Sequence, residues 1–218
     1  MRAGYVFLAI FSIAVLAGCR KENDEEIQIS GKILDKNQGT PVSGALVVLA
    51  ASKVQTGVYN PSYETVATVN SSSGGDYSFN VTNDKFTGYR ITVIKDQYFE
   101  MFKDYEVSTI KSGQSNTVNL EILPQAFLNL RVRNVSPVDN EDLIGYHIVN
   151  TQPGCQNCCG NGVLTGNGSV YDTTFTCKTY GHSYVKIQWT VQKGGQNSYY
   201  LDSVFCPAFQ TTPFVVNY

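Results

Sequence analysis

The sequence predicts an all-β protein built as two tandem antiparallel β-sandwich domains, the first of them seven-stranded. Three observations carry this. Tyr, Thr, Val, Ser, Asn and Gly abound, while charged residues make up only 16% of the 218-residue chain, a mixture that favours pleated strands and tight turns over helices. From Ile27 to Leu123, seven strand-like runs alternate with turn residues, and no helical period of 3.6 is present. After Pro124 the pattern restarts and supplies a second set of strands.

The chain opens differently. Met1 and Arg2 lead into an apolar stretch from Tyr5 to Leu16, the charged start and short greasy core of a secretory signal. A helix rises about 1.5 Å per residue and a hydrocarbon core is about 30 Å thick, so the stretch is too short for a permanent span. Leu16-Ala17-Gly18-Cys19 at its end looks like a bacterial lipobox, in which small residues expose the backbone to the peptidase and the cysteine sulfur takes a diacylglycerol. The resemblance implies a signal peptide over residues 1–18, a membrane partner held through lipidated Cys19, palmitate-type acyl chains, and a fold formed outside the cytoplasm. Each buried CH₂ of such chains contributes about 0.8 kcal/mol. Residues 19–26 then form a lipidated N-terminus and charged tether. Lys21 with the acidic residues to Asp24 is similar to the export signal that sends some Gram-negative lipoproteins to the outer face of the outer membrane. That implies display at the cell surface, with the periplasmic face as the alternative.

The first sandwich, residues 27–123, is expected to use the runs Ile27–Lys36, Ala45–Lys53, Tyr63–Asn70, Tyr77–Thr82, Tyr89–Phe99, Asp104–Lys111 and Asn116–Leu123. Asn37 to Pro41, Ser71 to Asp76, and Ser112-Gly113 punctuate them, because Gly accepts positive φ and Pro removes a donor. Pro41 and Gly44 read as a turn delivering Ala45–Leu49, an apolar run expected to be buried on both faces. Four motifs, Ser30 to Asp35, Gly39 to Leu49, Gly75-Asp76-Tyr77-Ser78-Phe79, and Tyr89 to Val93 with Lys95 to Tyr98, resemble the carboxypeptidase regulatory-like domains. That resemblance implies a transthyretin-like, Ig-like sandwich lacking the metal ligands of the carboxypeptidases themselves. Two departures stand out: Gln97 replaces the family's usual glycine, and Val58–Tyr63 is an insert expected to lengthen a loop.

The second sandwich, residues 124–218, resembles no specific family. Ala126–Val135 sets Leu128, Leu130 and Val132 on one face against Asn129, Arg131 and Arg133 on the other. Further strands are expected at Leu143–Asn150, Ser169–Tyr180, Ser183–Gln192, Ser198–Phe205 and Phe214–Asn217, with Lys193-Gly194-Gly195-Gln196 as a hairpin turn. Thr151 to Gly168 reads as a long loop rich in glycine and cysteine, and a loop this long inside a compact domain is usually functional or stapled.

Five cysteines remain besides Cys19: Cys155, Cys158, Cys159, Cys177 and Cys206. Outside the cytoplasm disulfides are the default, and a long loop gains from a bridge worth about 2–4 kcal/mol. The expectation is that two of the three loop cysteines pair with Cys177 and Cys206, leaving one thiol over. Zinc is the alternative, because Cys155 and Cys158 have the local spacing of two thiolate ligands, but the second close pair of a compact zinc ribbon is missing. A nucleophilic cysteine would need His147 or His182 as base. Asp139, Glu141 and Asp142 could mimic calcium ligands, but the segment lacks the interleaved glycine of a calcium loop and reads as a solvated turn.

Exposed rings invite sugars. Trp189 shares the face of Val185, Ile187 and Val191, so period 2 places it in the core. Tyr59, Tyr63, Tyr199 and Tyr200 are the better ligand-binding candidates. A net charge of −2 gives no positive field for nucleic acid, and no motif calls for a cofactor. The residues therefore point to a non-catalytic binding or scaffolding module with a glycan, peptide or envelope-protein partner. The alternatives are an accessory subunit of an outer-membrane transport or enzyme complex and, less favoured, a thiol- or zinc-dependent enzyme.

Overall fold

The computed structural model describes residues 26–55, 58–149, 158–160 and 162–218, with side chains described for all of these except 54, 55 and 58–61. The expected signal peptide, Cys19, Lys21 and Cys155 lie outside the described residues, as does the side chain of Tyr59. The described residues form fifteen strands and no helix.

The first sandwich comprises β1 (Glu26–Asp35), β2 (Leu46–Gln55), β3 (Val58–Asn70), β4 (Asp76–Thr82), β5 (Phe86–Ile94), β6 (Met101–Glu106), β7 (Ser115–Thr117) and β8 (Leu120–Ile122). One sheet orders β4-β1-β7, with β8 also on β1, and the other orders β3-β2-β5-β6. Ser30 pairs with Thr117 and Ile33 with Leu120, so β7 and β8 run in line along β1 and parallel to it. Together they fill one position, which gives seven strand positions in all. Inward residues alternate along each strand, as a pleat requires: Ile27 and Ile29 from β1, Tyr77 and Phe79 from β4, Val47 and Leu49 from β2, Ile91 and Val93 from β5. Leu46 and Val48, on the opposite face of β2, are half-buried.

Two turns explain the motifs. Gly75 has φ of 77°, and a Cβ there would lie 2.7 Å from the Ile33 carbonyl oxygen, so both backbone conformation and space demand glycine. Gln97 also adopts the left-handed region, φ 63°, which accounts for a glycine preference at that position. The turn it makes, closed by Tyr98 N donating to Lys95 O at 3.1 Å, splits the expected strand Tyr89–Phe99. Strand β5 ends at Ile94, and β6 starts at Met101 and stops at Glu106, short of the expected Lys111. The Val58–Tyr63 insert is strand and not loop: β2 and β3 form one long hairpin in which Gln55 pairs with Val58, with register shifts after Leu49 and Ala51.

The second sandwich comprises β9 (Gln125–Arg133), β10 (Leu143–Ile148), β11 (Leu164–Asn167), β12 (Asp172–Tyr180), β13 (Ser183–Lys193), β14 (Gln196–Cys206) and β15 (Thr211–Asn217). Its sheets order β11-β10-β13-β14 and β12-β9-β15, with β15 parallel to β9. Leu128, Leu130, Val132, Ile144, Ile187 and Val216 are among the residues that fill the core between them. The β13–β14 hairpin turns on Gly194 and Gly195, both at positive φ, the pattern of a two-residue I′ turn. Strand β11 lies inside the segment expected to be loop.

Phe99 and Ala208 are buried but belong to neither core. They sit where the sandwiches meet. The Phe99 ring packs edge-on to Tyr180 at 5.4 Å and Tyr98 edge-on to Phe209 at 5.3 Å. Gln125 ties the connection down: its backbone N donates to Gln97 O at 2.8 Å, and its Nε2 to Tyr98 O at 2.6 Å.

Candidate functional site

The cysteines resolve into distinct roles. Cys159 and Cys177 form a disulfide with Cα atoms 4.9 Å apart, and Cys158 is also disulfide-bonded. Cys177 on β12 pairs in register with Leu128 on β9, so this bridge fastens the loop to an outer strand of the β12-β9-β15 sheet. Cys206 departs from the expected pairing. It is a free thiol, fully buried at the end of β14, where the strand alternation turns its sulfur into the core. Burial pushes its pKa up, the opposite of what a nucleophilic cysteine needs. His182 lies against Phe205, and His147 borders an apolar cavity of about 240 Å³ beside the Cys159–Cys177 bridge, lined also by Tyr146, Leu164 and Phe175. Among the described residues, no group of three or more His, Cys, Asp or Glu is arranged to hold a metal ion.

The tyrosine candidates separate as well. Tyr63 is half-buried, with the Arg90 guanidinium 4.4 Å above its ring, and Arg90 is itself clamped by Asp104 through bonds of 2.6 and 2.8 Å. That ring is occupied. Tyr199 and Tyr200 are 75% and 47% exposed. Trp189 was expected in the core, but it is half-buried: it packs against the core on one side and stacks on Tyr200 on the other, with centroids 5.4 Å apart and planes 16° apart. The pair faces one another across the β13–β14 ladder, where Trp189 and Tyr200 are register partners. They line a cavity of about 270 Å³ together with Lys193, Gln196 and Asn217.

Strand β14 ends its sheet, and among the described residues no strand pairs with it on its outer side. Nine of its eleven residues are exposed, among them Leu201 at 64% and Phe205 at 42%. Tyr184 on β13 extends the same surface, its ring 5.3 Å from that of Phe205. The expectation from sequence identified the tyrosines but missed that they lie on a sheet edge.

The third cluster corrects another expectation. Asp139 and Glu141 are solvated, but Asp142 is fully buried. Burial would raise its pKa. That effect is outweighed, and the carboxyl is held below its usual range, by hydrogen bonds from Asn134 Nδ2 at 2.8 Å, Val138 N at 2.9 Å and Asp139 N at 3.4 Å, and by the charge of Lys193 at 3.7 Å. Lys193 Nζ also donates to Asn134 Oδ1 and Ser136 O, both at 2.8 Å. Tyr146, Tyr171 and Tyr218 surround this cluster with rings and hydroxyls, Tyr146 and Tyr171 being hydrogen-bonded at 3.3 Å. No motif in the sequence could have shown it, because its members lie at the ends of β9 and β13 and in the loop before β10.

A scan against protein-family models matches none, and no curated protein matches. Among solved structures the chain is similar to the Bacillus anthracis TIE protein, at 13% identity and a TM-score of 0.37 over 88% of this chain and 34% of that one. It is also similar to a streptococcal ancillary pilin, at 12% identity and a TM-score of 0.38 over 89% of this chain and 63% of that one. A third is a minor pilin of Streptococcus agalactiae, at 11% identity and a TM-score of 0.35 over 88% of this chain and 94% of that one. The chain thus spans about a third of the length of the TIE protein. At this level of likeness nothing about activity, ligand or assembly transfers.

Proposed function

We propose that this chain is a non-catalytic, lipid-anchored module of the cell surface that binds or scaffolds an envelope-protein partner. In this reading Cys19 holds the protein to the outer membrane, the first sandwich is a carboxypeptidase regulatory-like domain close to the membrane, and the second presents β14 outward. The anchor is supported by the Leu16–Cys19 motif and the first domain by its four motifs.

The single observation that carries the partner reading is the unpaired β14 edge. Such an edge offers donors and acceptors in register for an extended chain, with side-chain pockets alternating along it. Natural proteins usually blunt exposed edges with charge, proline or a covering loop. Strand β14 carries one charged residue, Asp202, and no proline, while Leu201 and Phe205 stand in solvent. The test is co-purification from intact envelope with the full chain and with Leu201→Lys, which places a charge on the edge at an exposed position. The reading predicts a stoichiometric partner with the native chain and its loss with the variant. A partner retained at full stoichiometry by Leu201→Lys would contradict it.

A glycan reading has its own observation, the Trp189–Tyr200 stack with Lys193, Gln196 and Asn217 around one cavity. Aromatic faces with adjacent polar side chains suit sugars. Binding of the isolated chain on a glycan array, abolished by Tyr200→Ala and not by Leu201→Lys, would favour it over the edge.

A further inference from the structure

On the flank of the first sandwich where β6 and β7 end their sheets lies a groove of about 440 Å³. Lys103 and Lys111 line it together with Thr109, Ser115, Thr117 and Asn119, and among the described residues no carboxylate does. Strand alternation explains the imbalance. Met101 and Tyr105 pack toward the core, so Lys103 between them faces the groove, its Nζ 5.2 Å from the centre of the Tyr105 ring. Asp104 lies on the opposite face, where Arg90 holds it, and Glu106 shares that face.

The charge in the groove is uncompensated. Among the described residues, Lys32, Lys53 and Arg90 of this sandwich each pair with an aspartate, whereas Lys103 and Lys111 enter no ion pair. The loop that carries Lys111 is fixed in advance. Asn116 Oδ1 accepts from Lys111 N at 2.8 Å, and its Nδ2 donates to Lys111 O and Gln28 O, both at 2.9 Å. Gly113 N donates to Glu26 O at 2.8 Å, and Ile110, 2% exposed, anchors the loop in the core. Two like charges at one groove repel, and an anion between them relieves that repulsion.

We propose that this groove is a binding site for a phosphate monoester. Its two ammonium groups match the charge of about −1.5 to −2 that such a group carries at pH 7. Lysine meets phosphate as a point charge and needs no planar fork. The hydroxyls of Thr109, Ser115 and Thr117 supply neutral donors, and Asn119, whose oxygen already accepts from Lys32 N at 2.9 Å, is left with its amide nitrogen. Three phosphate oxygens use this set of donors, whereas a carboxylate brings two oxygens and one charge. A cleft lined by one sign of charge also concentrates the opposite ion.

Two sources fit this chemistry, a lipid headgroup and a soluble phosphate ester. The groove loop is bonded to Glu26, which follows Cys19 by seven residues, a reach of at most about 25 Å. The headgroup source therefore rests on the lipid-anchored reading, and the soluble source does not.

The test is amine-reactive footprinting of the full chain, read lysine by lysine from peptide masses, with exposed Lys186 of β13 as the reference. In one pair of arms the chain is held on phosphatidylcholine vesicles with or without phosphatidic acid. In the other it is in detergent with glycerol phosphate or with glycerol. Severalfold slower modification of Lys103 and Lys111, with Lys186 unchanged, is expected with a phosphate carrier, and the carrier that produces it identifies the source. Equal rates with and without both carriers, or slowing shared by Lys186, would overturn the proposal. Lys103→Gln, an exposed position outside the core, should keep the native unfolding midpoint and lose most of the protection at Lys111. Full protection of Lys111 in that variant would contradict the site equally. Failure of the chain to sediment with vesicles counts against the anchor alone, because the detergent arms decide the site without it.

Discussion

Asn37 Nδ2 donates to the Gly181 carbonyl oxygen at 2.6 Å, a hydrogen bond that spans the two sandwiches. It joins the first turn after β1 to the turn between β12 and β13, and it is flanked by the Phe99–Tyr180 and Tyr98–Phe209 ring pairs. The junction is therefore packed and hydrogen-bonded, and β14 is carried at a fixed attitude to the first sandwich.

Phe99→Ala should weaken this junction specifically. Truncating a buried Phe costs about 3–5 kcal/mol, and about 3 is expected here because the ring packs at an interface that can partly close. Denaturant unfolding followed by separate probes in each half should change from one shared transition to two. A single unshifted transition would show that the sandwiches are not coupled through Phe99.

Tyr98 makes the junction sensitive to alkali. Burial, then the charge of Asp35 and a hydrogen bond to it, push the Tyr98 hydroxyl up to about 12, against about 10 in an unfolded chain. A group whose folded pKa is raised contributes stability that is complete below the unfolded value and lost as pH rises through the folded one. The native chain should therefore lose stability between about pH 10 and about 12, and Tyr98→Phe should lose less over the same window. Parallel curves for the two proteins would rule Tyr98 out as a contributor.

The thiols give a third expectation. Reduction of Cys159–Cys177, or Cys177→Ser, should cost about 2–4 kcal/mol, read as a lowered unfolding midpoint. Cys206 should resist alkylation in the native chain and react once it is unfolded. Native alkylation of Cys206 at the rate of a free thiol would contradict its burial.

Much of the fold was legible because turn chemistry and period 2 are local. Gly75 and the Gly194-Gly195 pair stand where positive φ is needed, and Ile27, Ile29, Tyr77 and Phe79 alternate as a pleat demands. The break at Gln97 was hidden because a non-glycine residue adopts a left-handed conformation there, so the apolar run from Tyr89 reads straight through it. Strand β11 is four residues with Gly166 inside it, too short to show a period. The candidate site was legible only in part. Strand alternation puts the neighbouring Tyr199 and Tyr200 on opposite faces, so the exposure of both follows from β14 ending its sheet, which depends on pairing between distant segments. The burial of Asp142 and the freedom of Cys206 are likewise set by tertiary contacts that no spacing encodes.

The central claim is that β14 is the recognition edge, and in-cell photo-cross-linking tests it most directly. With a photoreactive residue in place of Tyr199 or Leu201, whole cells should yield one discrete protein adduct, and the same residue in place of Val170, 90% exposed in the loop before β12, should yield none. Adducts absent from both edge positions, or formed equally at Val170, would contradict it.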